Sequence, residues 1–378
     1  MTSQEELLSS IANGPRHGQS AAAMSTHEAV HKLDRAPPVC TTKWPISDHF
    51  DGQRFLNPTL PKGFAPTVSS ALGMIFEKRS RWPAVVENPA VPRVRAMCGI
   101  NDVAITFVNH ATFLIQYRGL NILTDPIWSL RASPIRWLGP KRVREPGIPI
   151  DELPCIDVIL ISHNHYDHLD VETLRYLQQR FSPIVLVAAG DRELVRSIGF
   201  NRVHEFDWWE DFEIKPGCKV TFAPTQHFSA RGLRDRQRSL WGSYLIQNGD
   251  RKVYFGGDSG YSTHFSEIRQ RLGSPDIALL GIGAYEPRWF MRPMHMNPAE
   301  AVQAHQDLGA QQSIGMHHGT FQMSHEAIER PLQDLAAAVE AAGIDATAFI
   351  TLREGETRIY RAQMTFGTDP VGLAQQFV

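Results

Sequence analysis

Sixteen histidines are spread over 378 residues, and three of them fall within six positions, in His163-Asn-His165-Tyr-Asp167-His168. Three imidazoles and a carboxylate are a poor way to fill a core: each buried ring needs a hydrogen-bond partner, and protonated rings repel one another. Neutral imidazole and carboxylate are good ligands for zinc or a similar borderline divalent ion. The spacing divides the work. In an extended turn His163 and His165 point to one side and can share one metal, while Asp167 and His168 can serve a second. Further ligands stand beyond apolar runs, His227 after Phe222, Asp258 after Phe255 and His317 after Met316. That makes seven ligands for two metals, with Asp258 able to bridge. Alone, His227, Asp258 or His317 would carry no such reading; the first cluster gives them their value.

The chemistry follows from the metals. A water shared by two divalent cations is acidified toward neutrality and supplies hydroxide without a protein nucleophile. The same cations can grip a phosphoryl oxygen and stabilise the charge that builds during in-line attack. Asp167 and Asp258 are then the catalytic carboxylates, acting through metal-bound hydroxide. Asp167 as a direct nucleophile is disfavoured, because a carboxylate committed to a metal is a weak one.

The elements that must hold these residues read as short apolar runs separated by turns. Strands are expected over 103–108, 113–117 and 122–124, the last two joined by Arg118-Gly119. A buried strand over 157–162 precedes the histidine loop, and a helix over 171–180 follows it. A strand over 184–187 leads to Asp191, expected to cap a helix through 197. Strands over 219–222, 243–247, 252–255 and 276–280, a helix over 298–308, a strand over 313–316 and a helix over 326–342 complete the series. Early meander and later strand–helix alternation predict a layered α/β domain, with sheets inside and helices outside. The main domain is placed at 101–360. Residues 1–50 read as a poorly ordered tail, 51–100 as a Pro-rich segment packing on the domain, and 361–378 as a C-terminal extension. Within the Pro-rich segment, Val68, Leu72, Ile75 and Phe76 have helical spacing; packing against the domain is preferred over membrane contact.

Composition narrows the partners. Thirty-eight Lys and Arg against forty Asp and Glu leave a formal charge of -2, which argues against a dedicated nucleic-acid binder. Cys40, Cys98, Cys155 and Cys218 lie far apart with no C-x-x-C pair, as expected of scattered reduced thiols in a cytoplasmic protein. The first twenty residues lack the basic and apolar pattern of a signal peptide, and no run approaches 18 apolar residues. The expectation is a cytoplasmic protein, at most peripheral to a membrane.

The H-x-H-x-D-H loop with the later His, Asp and His resembles the metallo-β-lactamase-fold superfamily of metal-dependent hydrolases. The motifs Asn109-His-Ala-Thr112, Leu123-Thr-Asp-Pro126, Arg131-Ala-Ser-Pro134 and Gly139-Pro-Lys-Arg142 fit one of its branches. So do Asp207-Trp-Trp-Glu210, Leu240-Trp-Gly-Ser243, Gly257-Asp-Ser-Gly-Tyr261 and Gly281-Ile-Gly-Ala-Tyr-Glu-Pro-Arg-Trp-Phe-Met291. Together they resemble the N-acylphosphatidylethanolamine-hydrolysing phospholipases D. The resemblance implies an αβ/βα four-layer sandwich, two mixed sheets flanked by helices, with the metals at its edge. It implies that His163, His165 and His227 hold one zinc, that Asp167, His168 and His317 hold the other, and that Asp258 bridges them. Iron or manganese would also suit such a site. The implied reaction releases N-acylethanolamine from a phospholipid and leaves phosphatidic acid; a homodimer and peripheral membrane contact are implied too. A metal-dependent lactonase, similar to ascorbate-6-phosphate lactonase, or another phosphodiesterase is the alternative on the same fold.

Beyond the ligands, His295 lies just before the helix-starting pair Asn297-Pro298, and the resemblance makes it a substrate-contacting residue. Tyr166, inside the metal loop, is a second candidate for substrate contact. His110 is expected to support a ligand or the fold. Arg231, Arg234, Arg236 and Arg238 crowd the loop after His227 and could attract phosphate or anionic lipid, although surface charge is usually only solvated. Met291, Met294 and Met296 either line an acyl-chain pocket or simply pack. The chain departs from the mammalian pattern at Phe107 and His318, where Trp is usual, at Asn109, where Gly is usual, and at Glu354, where a histidine is usual.

Overall fold

The structure, a computed structural model, describes residues 44–61, 73–74, 77–91, 101–232 and 234–361. Residues 1–43 of the expected tail, the helical pattern at Val68, Leu72, Ile75 and Phe76, and residues 362–378 lie outside the described residues. Two seven-stranded mixed sheets face each other. The first runs β14 (Thr357–Tyr360), β1 (Val103–Asn109), β2 (Thr112–Tyr117), β3 (Leu120–Thr124), β4 (Val158–Leu160), β5 (Ile184–Ala188), β6 (Val203–Phe206). The second runs β13 (Phe349–Thr351), β12 (Gln312–Met316), β11 (Ile277–Gly281), β10 (Arg251–Phe255), β9 (Ser243–Asn248), β8 (Cys218–Ala223), β7 (Asp211–Lys215).

Alternation along the strands builds the layers. Val158 and Leu160 of β4 and Val253 and Phe255 of β10 point into the core between the sheets. Ile159 and Tyr254 point outward, onto helices. Because both faces are buried, these strands read as nearly continuous apolar runs. Helices α1 (Val171–Phe181) and α2 (Arg192–Ile198) cover the first sheet with Leu174, Leu177, Leu194 and Ile198. Helices α3 (His264–Leu272), α5 (Pro298–Leu308) and α6 (Arg330–Ala341) cover the second with Phe265, Ile268, Val302, Leu308 and Leu335. A one-turn helix, α4 (Arg288–Met291), lies among the connecting loops. The result is the expected αβ/βα sandwich. Packing starts ahead of residue 51: Phe50 and Phe55 are buried in the inter-sheet core, and Trp44 packs against them. Among the described residues, no helix is long and apolar enough to cross a membrane.

Two expectations need correction. The helix expected from residue 326 starts at Arg330, because Glu326 is occupied elsewhere: its buried carboxylate accepts the backbone N–H groups of Ala284, Tyr285 and Glu286. Asp191 stands at the N-cap of α2 but makes no cap bond; it accepts from Asn164 Nδ2 of the histidine loop instead, at 2.9 Å.

Leu279 is fully buried between the sheets. Leu279→Ala should destabilise the protein by about 2–5 kcal/mol, read as a shifted urea midpoint at unchanged slope; a loss below about 1 kcal/mol would contradict this packing.

Candidate metal centre

Chain direction brings the reactive residues to one edge. The loop 161–170 leaves the C-terminal end of β4, His227 follows β8, Asp258 follows β10, and His317 follows β12 directly. In sheets of this kind, ligand sites form beyond the carboxyl ends of the strands. Here the loops from both sheets converge.

Two groups of donor atoms result, one of His163, His165 and His227, the other of His110, Asp167, His168 and His317. In the first, His165 Nδ1 lies 2.8 Å from His163 Nε2 and 3.2 Å from His227 Nε2. In the second, Asp167 Oδ2 lies 2.9 Å from His110 Nε2, 3.3 Å from His168 Nε2 and 3.4 Å from His317 Nε2. Asp258 stands between the groups. Its Oδ2 is 3.2 Å from both His168 and His317, 3.7 Å from His227 and 3.9 Å from His163. The seven residues singled out as ligands are thus brought together; His163 with His165, and Asp167 with His168, fall on the two sides that their spacing suggested, and His227 and His317 join the sides that the resemblance implied. His295 joins them at the rim, its Nδ1 3.9 Å from Asp258 Oδ2.

Three outer ring nitrogens are anchored. His163 Nδ1 meets Ser162 Oγ at 2.9 Å, His168 Nδ1 meets Asp125 Oδ2 at 2.6 Å, and His227 Nδ1 meets the Met294 carbonyl at 2.9 Å. Each contact fixes a ring's orientation and leaves the other nitrogen facing the cluster. Asp125 is the least expected of these partners. It lay in the motif Leu123-Thr-Asp-Pro126 with no role assigned, yet it is fully buried and also accepts from the Ser162 N–H and hydroxyl. Its signal was available in principle: an Asp-Pro directly after one strand, beside a histidine loop directly after the next.

Charge and burial fit a bound cation. Burial pushes His165 down to about 3 and His227 to about 4, with neighbouring imidazoles adding to the shift at His165. His163 and His295 are also held well below the usual range, chiefly by burial. His317 moves the other way. Burial opposes its charge, but Asp258 and Asp167 outweigh that and raise it to about 9. His168 is raised as well, by Asp258, Asp167 and Asp125 against the same burial. The three carboxylates therefore demand positive charge at the centre of the cluster. His168 Nε2 is buried there and makes no hydrogen bond, although carboxylate oxygens surround it. Imidazole and carboxylate donors with that demand suit a divalent metal of the zinc, iron or manganese type.

Tyr166 faces away from the cluster. Its hydroxyl donates to the Arg231 carbonyl at 2.7 Å, and its ring lines a cavity of about 340 Å³ outside the loop. His110 supports a ligand, as expected, through its bond to Asp167. Among the clustered arginines, Arg231 is buried and Arg236 lies over the Phe228 ring at 4.6 Å. Met291, Met294 and Met296 are all buried and pack in apolar clusters, with Met291 and Met294 beside Phe228.

The Gly281-Ile-Gly283 motif has a local reason. A Cβ on Gly283 would stand 2.1 Å from the His317 carbonyl oxygen, whereas one on Gly281 would meet open space. Gly283→Ala should displace His317 and lower metal content and melting temperature, while Gly281→Ala leaves both near wild type. Equal behaviour of the two variants, measured by metal analysis and thermal unfolding, would contradict this geometry.

Comparison with known proteins identifies the family. The β-lactamase superfamily domain model matches residues 120–318. Over 263 residues the chain is 37% identical to N-acyl-phosphatidylethanolamine-hydrolyzing phospholipase D 1 of Caenorhabditis elegans, covering 66% of this chain and 74% of that protein. It is 38% identical over 244 residues to the mitochondrial N-acyl-phosphatidylethanolamine-hydrolyzing phospholipase D of Saccharomyces cerevisiae, covering 63% of this chain and 52% of that protein. Among solved structures, a metallo hydrolase of the archaeon Ignicoccus hospitalis shares the fold, with a TM-score of 0.52 and 20% identity over 70% of this chain and 100% of that one. The chain belongs to the β-lactamase superfamily, as one of its metallo-hydrolases.

Proposed function

We propose that this metallo-hydrolase is a phosphodiesterase of phospholipase D type. Its substrates would be N-acylphosphatidylethanolamine-like phospholipids, cleaved to N-acylethanolamine and phosphatidic acid. The observation that carries the reading is the Asp258 oxygen set between two groups of imidazoles, which suits two cations sharing one carboxylate. The identity to the worm and yeast enzymes supports the substrate class.

His163, His165 and His227 would hold one zinc, and Asp167, His168 and His317 the other, with Asp258 serving both. When bound, the ions acidify water and polarise a phosphoryl oxygen. The chain's own residues supply the rest. Ser162, Asp125 and the Met294 carbonyl hold the rings in register. His295, kept neutral by burial, offers a ring nitrogen at the rim, where it would contact the phosphoryl group or the leaving oxygen. Phe228, partly exposed over the buried Met291 and Met294, would provide an apolar flank for the acyl side of the substrate. The protein would meet its phospholipid from the aqueous side as a cytoplasmic, peripheral homodimer, with no role for nucleic acid.

The test is mass-spectrometric. Zinc-loaded protein is incubated with N-acylphosphatidylethanolamine in mixed micelles, beside a chelated sample and His165→Ala. Release of N-acylethanolamine with phosphatidic acid, lost in both controls, is expected. No release from a protein carrying two metals would overturn the lipid reading and turn attention to lactones and other phosphodiesters. In the same assay His295→Ala should lower kcat/KM by about 10²-fold, the order lost with a donor to developing charge, at unchanged metal content. Unaltered kinetics would remove His295 from the substrate's reach.

A further inference from the structure

Arg231 belongs to an arginine-rich stretch whose obvious reading is anion attraction, but the structure turns it inward. The residue is 7% exposed. Its Nη1 donates to the carbonyls of Asn164 and Leu169, both at 2.8 Å. These carbonyls lie at the two ends of the stretch that carries His165, Asp167 and His168. Between them the guanidinium lies over the Tyr166 ring, 4.0 Å from its centroid. Tyr166 answers by donating its hydroxyl to the Arg231 carbonyl. Asp235 fixes the turn from below, accepting the N–H groups of Arg231 and Gly232.

We infer that Arg231 is a positioning residue of the metal loop, latched to it in both directions through Tyr166. The inference rests on the metal reading of the cluster. A planar guanidinium stacks flat on an aromatic face while one of its nitrogens donates to two carbonyls; the ammonium of lysine has no plane to stack. By spanning 164 to 169 it sets the chord of the loop. That chord decides how His165, on one side, is aimed relative to Asp167 and His168 on the other. A backbone bond to each end resists opening of the loop where neighbouring imidazoles crowd one another.

Metal uptake by the 378-residue chain tests this. Metal-free wild type, Arg231→Ala and Tyr166→Phe are titrated with Zn²⁺ against a chromophoric chelator, and with Co²⁺ for its visible absorption. Arg231→Ala should weaken zinc binding about ten- to hundred-fold, the range found for groups that orient ligands, and shift the cobalt bands. Millimolar guanidinium should recover part of the affinity, where ammonium at equal concentration does not. Tyr166→Phe removes one hydrogen bond and should weaken binding about two- to ten-fold; it decides the matter if Arg231→Ala does not fold. Zinc affinity within twofold of wild type in every variant that folds, with unchanged cobalt bands, would overturn the inference and leave the metal reading standing. A wild type that takes up neither ion would overturn both.

Discussion

Seven imidazoles and three carboxylates lie within reach of one another at the edge of two sheets, and the rest of the fold answers to that crowding. Left to themselves, buried charges of like sign separate, and a buried ion stripped of its partner costs about 3–5 kcal/mol. The structure keeps the residues together by giving three of the rings, His163, His168 and His227, an outer partner each from a different stretch of chain. Asp125 reaches from the end of β3, Ser162 from the end of β4, and the Met294 carbonyl from the loop after α4. The inward nitrogens are aimed by these outer contacts, so the donor atoms converge through the framework's own bonding.

Much of this was legible in the sequence, and the parts that were not have two physical causes. The buried strands announce themselves as apolar runs, and the histidine loop by residue type and spacing. The four strands that gave no sequence signal, β6, β7, β13 and β14, are the four edges of the two sheets. An edge strand buries less surface and tolerates polar residues, as Asp211, Glu213 and Lys215 show on β7, so its alternation is faint. The supporting contacts were hidden for another reason. Arg231 meets its carbonyl partners across 67 and 62 positions of sequence, and nothing local distinguishes it from Arg234, which is exposed. Asp191 misled because it occupies a helix-start position while its carboxylate serves Asn164; its burial raises it to about 7, unlike an exposed capping aspartate.

The departures from the mammalian pattern converge once the chain is folded. Phe107 and His318 stack on each other, 5.8 Å between centroids and 20° between planes, so two substitutions of Trp amount to one repacked contact. Glu354 lies 3.7 Å from Arg144, and burial, with Arg144 adding to it, lowers His318 to about 4. Asn109 donates to the Ile127 carbonyl and receives Arg142. The changes therefore occupy the floor beside His317 and the root of the loop after β3, while the convergent donors above are intact. A change in that floor reaches the site through backbone: the His317 N–H is held by the His110 carbonyl at 2.8 Å, and Phe107 sits three residues before His110 on the same strand end. A change in the Phe107–His318 contact would thus act through how His317 and His110 are seated, with the converging side chains themselves unaltered.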